Sequence, residues 1–522
     1  AGMLSRAQLG TIVVPFAKFD SVNRSLDVVN VNGRPTCRSV VNGTDRNCVP
    51  FNAFAPFNND AALNNYLYGN ASGGISTRIP RLLQFVGTIS GDLGKYGIAS
   101  PLAEQGIAIA LGGEYREEME RTVVNAIYQQ NNGGTNQRVT QNILEAFGEI
   151  QAPLVENRPW TKLLQLNAGY RLSKYNRLDS KFGTWKIEGI WSPVADISFR
   201  ASLNKAQAAP GVGTAASASN IFWNQGFYAD PCAPRIDPAN PSAPRIAPVA
   251  TQQQCANTGL PANLYGSTTL ICPDDRCTVR EGGFDLKPET AYTKTFGVVL
   301  RPRFVPGLTV SVDRWLIDLK DQLDFLQPQN LINDCLSTGN DYFCRAIVRN
   351  ANGTLYSSPA TRPATGWVAR GSANGYRSQS HGWDFQGQYD VGMGSVGRLE
   401  MSFNGTLMTR VASQASPTAT SRNCVGYWGN SCGESMPKWA HQMRTTWILP
   451  ERIASVSLNW RHRSAMPLDV YAPASTGIPT ADPSQRRDQF PGIKAYDWFD
   501  LALSFDVNKQ MTFRLAANNI FD

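Results

Sequence analysis

Hydrophobic and polar positions alternate with period two along most of the chain, and the runs are long. In TWKIEGIW, Trp185, Ile187, Gly189 and Trp191 fall on one side; Lys186 and Glu188 fall on the other, with Ile190 as the exception. ISFRASLNKA follows, setting Ile197, Phe199, Ala201 and Leu203 against Ser198, Arg200, Ser202 and Asn204. Successive side chains of a strand point to opposite faces, so both runs are predicted as two-faced strands. The Pro-containing SPVAD between them is a tight turn. AYTKTFGVVL places Tyr292, Phe296, Val298 and Leu300 on one face, and LTVSVDRWLIDLKDQL returns after RPRFVPG. The same hairpin grammar recurs in LLQFVGTISGDL with GIAIALGGEYREEM, in QNILEAFGEIQAPL with WTKLLQLNAGYRLS, and in HGWDFQGQYDV with RLEMSFNGTLMTR. KWAHQMRTTWIL pairs with IASVSLNWRHR, and AYDWFDLALSFDV with MTFRLAANNI. This makes about 14 strands, most of ten residues or more, longer than ordinary globular strands.

The connections are predicted to alternate strictly between short (302–307, 450–452, 507–510) and long (207–290, 323–379, 411–436, 464–495). In an antiparallel meander alternate connections lie at opposite ends, so the long ones share one side. An outer-membrane barrel has this asymmetry, with short periplasmic turns and long outer loops, because a sheet in lipid must close to satisfy its backbone. On this reading Lys186, Glu188, Arg200, Asn204, Asp500 and Arg514 line a lumen. Trp185, Trp191, Trp315, Trp447, Trp460, Trp498 and Phe499 form interfacial girdles. A soluble all-β sandwich or propeller gives similar alternation, but its strands are shorter and its repeat more regular. The fold class expected is therefore all-β, a transmembrane antiparallel barrel. Residues 1–80 hold its start and a long outer loop; 81–522 hold the rest.

Composition narrows this picture. The 522 residues carry a net charge of +8 and are 42% hydrophobic but only 17% charged. No apolar run reaches the 18 residues that would mark a spanning helix. The opening AGMLSRAQLGTIVV lacks a secretory core and cleavage site and reads as the start of a fragment or processed chain. No basic stripe, zinc finger or RNA-binding motif is present, so nucleic acid is not an expected partner.

Ten cysteines fall into five neighbouring pairs: Cys37 with Cys48, Cys232 with Cys255, Cys272 with Cys277, Cys335 with Cys344, and Cys424 with Cys432. Local pairing at an even count points to disulfides in an oxidising compartment. Metal ligation by Cys272, Asp274, Asp275 and Cys277 is the alternative, with free or differently paired cysteines a third. No histidine lies near that cluster, whereas structural zinc sites use closely spaced Cys and His. No cofactor and no metal site are assigned, although the acidic loops are candidates for structural calcium.

Motifs for nucleotide binding, zinc hydrolysis or an esterase nucleophile are missing. His462, between Arg461 and Arg463, reads as a solvated strand end. Carboxylates cluster at Glu117, Glu118 and Glu120 and at Asp318 and Asp321, without a catalytic pairing. An enzyme is not expected. Loop aromatics are candidate ligand contacts: Phe222, Trp223, Phe227 and Tyr228 in NIFWNQGFYAD, and Tyr427 and Trp428 in CVGYWGNSC. Such rings offer large contact area at low entropy cost. Packing of loop on loop is the competing reading.

FGTWKIEGIWSPVADISFRASLNKAQAAPGVGTA, residues 182–215, resembles the barrel segment of TonB-dependent outer-membrane receptors. DLKPETAYTKTFGVVLRPRFVPGLTVSVDRWLIDLKDQL is similar to the segment that follows the family's LKPE motif; GDLG, GGEYREE and the closing FRLAANNIFD also match. The likeness runs from about Val31 to Asp522, within a subgroup with large Cys-stapled loops. It implies a 22-stranded barrel around an N-terminal plug in the Gram-negative outer membrane. It also implies energised uptake through a TonB–ExbB–ExbD inner-membrane system, for a scarce ferric chelate, oligosaccharide or peptide. Departures are the absence of a recognisable plug or TonB box, Ala208 where the family has Arg before Ala-Pro, and an end at NNIFD where the family continues to a final strand, so that 81–522 is expected to lack that strand. A non-transporting surface scaffold and a passive porin are the alternatives, though loops of 57 and 84 residues exceed what a sieve needs. Expected partners are outer-membrane lipid and lipopolysaccharide, and a surface lipoprotein or other chain. The positive charge fits either an anionic ligand or loop contacts with lipopolysaccharide.

Overall fold

In a computed structural model of the chain, the residues described are 2–7, 9–12, 19–53, 60–68, 75–126, 136–178, 181–215, 220–222, 229–237, 244–272, 277–282, 286–357, 365–414, 419–433, 436–478, 490–508 and 510–521. One antiparallel meander dominates them. Two short strands, β1 (Gly2–Arg6) and β2 (Leu9–Ile12), form one interrupted span against β3 (Ile75–Asp92). From β3 each strand pairs with the next: β4 (Ala108–Val124), β5 (Gln137–Arg158), β6 (Thr161–Tyr175), β7 (Phe182–Val194) and β8 (Ile197–Ala208). The run continues through β9 (Glu289–Leu300), β10 (Leu308–Leu326), β11 (Trp367–Gly392) and β12 (Arg398–Gln414). It ends with β13 (Trp439–Ile448), β14 (Ala454–Arg463), β15 (Tyr496–Asn508) and β16 (Met511–Ala517). The fourteen strands from β3 on coincide with the fourteen periodic runs of the sequence.

The register keeps the two faces separate. Phe85 opposes Tyr115, which opposes Leu144; Ile150 opposes Ala168, then Ile187, then Leu203. These apolar side chains stand open, Ile89 at 72%, Leu144 at 60% and Phe296 at 55% exposure, as a lipid-facing surface requires. Lys186, Glu188, Arg200, Asn204, Asp500 and Arg514 all fall on the other face. Trp185, Trp191, Trp447, Trp460 and Phe499 point outward near strand ends. Trp315 and Trp498 do not: Trp315 opposes Thr295 and Gly382, and Trp498 opposes Arg461, all on the polar face. The sequence offered aromaticity and strand-end position but not the phase of these two residues.

His462 lies at a strand end, one residue before β14 closes, and its ring is partnered. It faces outward, its Nδ1 2.8 Å from Asp497 Oδ1, which also accepts from Trp460 Nε1 at 2.7 Å. His441 stacks on it with ring centroids 5.2 Å apart. Both belong to the outward aromatic belt.

The strict alternation of connections also fails twice. Residues 176–181 form a short link on the loop side, and 93–107 make a long one on the turn side. The latter is held down by Ser100, whose hydroxyl donates to Leu154 O at 2.6 Å. Elsewhere the asymmetry holds, with turns at 159–160, 195–196, 301–307, 393–397 and 449–453 and a short link between β15 and β16. β11 runs 26 residues, whereas about 9–11 tilted residues cross a bilayer. Its first half therefore rises beyond the membrane and becomes part of the loop structure.

Candidate functional site

The inward face of β3–β6 carries charge in a packed ladder. Glu114 and Glu145 oppose each other directly and are 7% and 6% exposed. Two like charges at that spacing repel unless cations intervene. Arg116 Nη1 lies 3.0 Å from Glu114, and its Nε 2.9 Å from Glu118. Arg171 Nη1 lies 3.0 Å from Glu145 and 3.9 Å from Glu114. Gln84 and Ser173 complete the set by donating to Glu114 and Glu145. The chain leaving β8 folds over this ladder: Pro210 is fully buried and its carbonyl accepts from Gln141 Nε2 at 3.4 Å.

Further round, β7–β11 line an open cleft of about 620 Å³ with Glu188, Arg200, Thr293, Asp313, Trp315 and Asp384 among its walls. Its central feature spans three strands. Arg200 on β8 reaches over Gly297 on β9 to grip Asp313 on β10, Nε to Oδ1 at 2.7 Å and Nη2 to Oδ2 at 2.6 Å. A Cβ on Gly297 would stand 1.9 Å from Asp313 Oδ1, so only glycine admits the bridge. Gly382 similarly leaves room for the Trp315 indole, 2.5 Å from where its Cβ would be. Between β14 and β15, Asp500 accepts from Asn459 (3.0 Å) and from Arg461 (3.0 and 3.1 Å). In these three groups the inward charges are paired with one another.

Above the loop-side ends stands a stapled cap. The described parts of the connections 209–288 and 327–366 pack around one hydrophobic core that includes Leu270, Val279, Leu331, Ile332, Phe343, Leu355 and Val368. Full burial of such side chains stabilises by about 1.5–3 kcal/mol each. Val279–Glu281 adds to Val368–Arg370 of β11 as a parallel strand, tying the cap to the wall. Asn374 of β11 donates to Lys287 O (2.9 Å) and Asp321 O (2.6 Å), which anchors the approach to the LKPE sequence. Cys232–Cys255, Cys272–Cys277 and Cys335–Cys344 are disulfides inside this core. The Cys272 and Cys277 sulfurs are bonded to each other, which removes them as thiolate ligands. One ion pair joins the two loops: Arg349 Nη1 and Nη2 meet Asp230 at 2.5 and 3.1 Å, with side chains 4% and 0% exposed. Arg349 also donates to Thr258 Oγ1 and Gly353 O.

A second stapled unit joins the connections after β12 and β14. Cys424 is bonded to Cys432, and buried Asp469 accepts from the Ser431 and Cys432 amides at 2.7 and 3.1 Å. Trp428 lies between these loops, its backbone bonded to Pro467 and Asp469 and its ring edge-on to Phe490 at 6.1 Å. Tyr427 is half-buried beside it. Phe222 ends a short strand, Asn220–Phe222; Trp223, Phe227 and Tyr228 lie outside the described residues, as do Asp274 and Asp275. The fifth disulfide, Cys37–Cys48, staples the first loop, where Asp45 accepts from Tyr66 (2.6 Å) and Arg24 (2.9 Å). Burial pushes the Tyr66 hydroxyl up to about 12. The hydrogen bond from Tyr66 holds the Asp45 carboxyl below its ordinary value. Of the carboxylate clusters, Glu118 pairs with Arg116, Glu117 with Arg81 (3.6 Å) and Asp318 with Arg377 (2.6 Å). The first pair lies within β4, and the other two cross to the neighbouring strand. Sequence reasoning missed the ladder and the cleft because both depend on register; the glycines facing charged residues were the available signal.

An apolar outer face, a polar inner face, short turns at one end and stapled loops at the other define an outer-membrane β-barrel wall. The family described as "TonB dependent receptor-like, beta-barrel" matches residues 30–520, and the chain belongs to it. It is accordingly a protein of the Gram-negative outer membrane, in a family of transport receptors. No curated protein matches the sequence. Among solved structures it is similar to the ferric enterobactin receptor of Pseudomonas aeruginosa, a mutant in complex with enterobactin. That match has 12% identity and TM-score 0.52, covering 87% of this chain and 51% of that one. It is also similar to a siderophore receptor of Acinetobacter baumannii, at 13% identity and TM-score 0.50, covering 86% and 51%. The chain spans about half the length of these relatives, and the likeness establishes the fold alone.

Proposed function

We propose that this chain is the wall and outer cap of a receptor that captures a scarce solute at the cell surface and admits it by energised, gated transport. The observation that carries the proposal is the pairing of a covalently stapled, well-packed cap with a polar inner wall. A passive sieve has no need of a rigid cap with its own core. Residues 81–522 supply most of the wall and both caps, and residues 1–80 supply the first span and its long outer connection. The energy source is the TonB–ExbB–ExbD system acting through a plug in the barrel. The solute is a ferric chelate, an oligosaccharide or a peptide. Tyr427 and Trp428, with Phe222, Trp223, Phe227 and Tyr228, are candidate contacts at the outer surface, and Arg200, Asp313 and Asp384 at the inner wall.

The test is uptake by cells expressing the full-length gene, with TonB intact or deleted. Radiolabelled ferric catecholate, maltodextrins and short peptides serve as probes. Accumulation of one probe that requires both the gene and TonB is the expected result. Entry independent of TonB would indicate a porin, and surface binding without entry a scaffold; either outcome overturns the proposal.

A further inference from the structure

The outward face of β8–β10 departs from the apolar rule. Along β9 the residues that share this face are Thr290, Tyr292, Lys294, Phe296, Val298 and Leu300; the third of them is a lysine. Lys294 opposes Leu203 on β8 and Leu316 on β10. Lys205 opposes Tyr292 and Trp185, so it lies diagonally next to Lys294. Arg314 opposes Phe296 and Trp383 and is diagonal to Lys294 on the other side. Diagonal neighbours on one face stand about 7–8 Å apart. Three cations therefore cross three adjacent strands in a line, flanked by Trp185, Tyr292 and Trp383. Lys320 extends the group, its Nζ 5.4 Å from the Tyr292 ring centre.

Among the described residues, Lys205, Lys294 and Arg314 have no carboxylate within ion-pair distance. Arg314 donates to Gly382 O and Thr409 Oγ1 and lies over the Trp383 ring, but its charge is not matched. The acid nearest in register, Asp318, is held by both arms of Arg377 at 2.6 and 2.8 Å. A lone cation on a lipid face is destabilising at mid-membrane and less so near the interface. Long cationic side chains avoid this by reaching toward the headgroups.

We infer that Lys205, Lys294 and Arg314 form a binding site for the phosphates of an anionic glycolipid in the outer leaflet, with Trp185, Tyr292 and Trp383 against its sugar and upper acyl region. The charge complementarity commits the site to a phosphorylated lipid. A solute phosphate has no route to a surface that faces acyl chains. The inference rests on the outer-membrane placement of the wall, yet it is separate from transport, because these side chains point away from the lumen.

The experiment uses the full-length protein reconstituted in phosphatidylethanolamine nanodiscs. Titration is with rough lipopolysaccharide or with the same material after enzymatic dephosphorylation. Wild type should bind the phosphorylated form and lose most of that affinity when the phosphates are removed. The variant Lys205→Gln/Lys294→Gln should bind about thirtyfold more weakly, taking the usual contribution of a surface cation near an anionic lipid. Lys294→Arg should bind as wild type does. Equal wild-type affinity for the two lipid preparations, which needs no variant, overturns the inference, as does full binding by the double variant. Protease resistance of the inserted barrel, measured in parallel, identifies any failure of insertion, and uptake by the double variant should be unchanged.

Discussion

The Asp230–Arg349 pair is the connection on which the cap most depends, and replacing Arg349 by methionine tests it. Both partners are buried, so the substitution leaves an uncompensated carboxylate in the cap core, beside the disulfide Cys232–Cys255. Breaking a buried pair from one side costs about 3–5 kcal/mol. The losses of the Thr258 and Gly353 bonds fall within the same event. At about 1.4 kcal/mol per decade, the local opening of the cap should become some hundredfold to a few thousandfold more frequent. Hydrogen exchange of the backbone amides reads this directly. The amides of Cys255, Leu331 and Val368, bonded within the cap or to its neighbours, should exchange faster by that factor. Those in the paired centre of β5 and β6 should not change. Asp230→Asn in the same chain removes the stranded charge while keeping the acceptor for the Cys232 amide. The double variant should recover most of the protection. Unchanged exchange in Arg349→Met, or a double variant no better protected than the single, would refute the reasoning that one buried charge pair joins the loops.

Other substitutions probe the wall and the smaller caps. Gly297→Ala forces the Arg200–Asp313 bridge apart and should lower the heat-unfolding midpoint of the barrel in gel-shift assays, by about 1–3 kcal/mol of overpacking and lost pairing. The same change in an Asp313→Ala background should cost clearly less. Asp469→Ala leaves two amides of the Cys424–Cys432 loop without their acceptor and should cost about 1–3 kcal/mol locally, read as increased quenching of Trp428 fluorescence by iodide. In the first loop, the folded Asp45 carboxyl titrates below its unfolded value of 3.8, because Tyr66 and Arg24 favour its ionised form. Its contribution is complete above that value and disappears as pH falls through the lower folded one. Proteolysis of residues 19–53 should therefore be constant from neutral pH down to about 4 and accelerate below it, and Tyr66→Phe should shift the onset upward.

Much of the wall was legible in the sequence because lipid and lumen impose opposite chemistry on alternate residues. TWKIEGIW could be sorted into faces residue by residue, and the register places Trp185, Ile187 and Trp191 outside with Lys186 and Glu188 inside. The Gly2–Ile12 span was not legible. It is interrupted after Arg6, and its apolar residues are too few for a period to emerge. Aromaticity and strand-end position point Trp315 and Trp498 to girdles, and only pairing with Thr295 and Arg461 reveals their inward phase. Lys294 sat inside a run whose apolar members drew attention away from it. The cap lay beyond sequence reasoning for a different reason. Its core joins Leu270 to Leu331 and Asp230 to Arg349, and no local pattern encodes a contact between two separate loops. The aromatic candidates share that limit, since Trp428 is positioned by Pro467, Asp469 and Phe490 from another connection.

The central claim is orientation: a wall in the outer membrane with the stapled loops outside and the short turns in the periplasm. All ten native cysteines are in disulfides, so a single introduced thiol reports without background. Ser475→Cys lies exposed in the connection after β14, and Gln510→Cys in the turn between β15 and β16. A membrane-impermeant maleimide applied to intact cells should label Ser475→Cys fully and Gln510→Cys only after the outer membrane is permeabilised. Equal labelling of both in intact cells, or the reverse order, would contradict the claim.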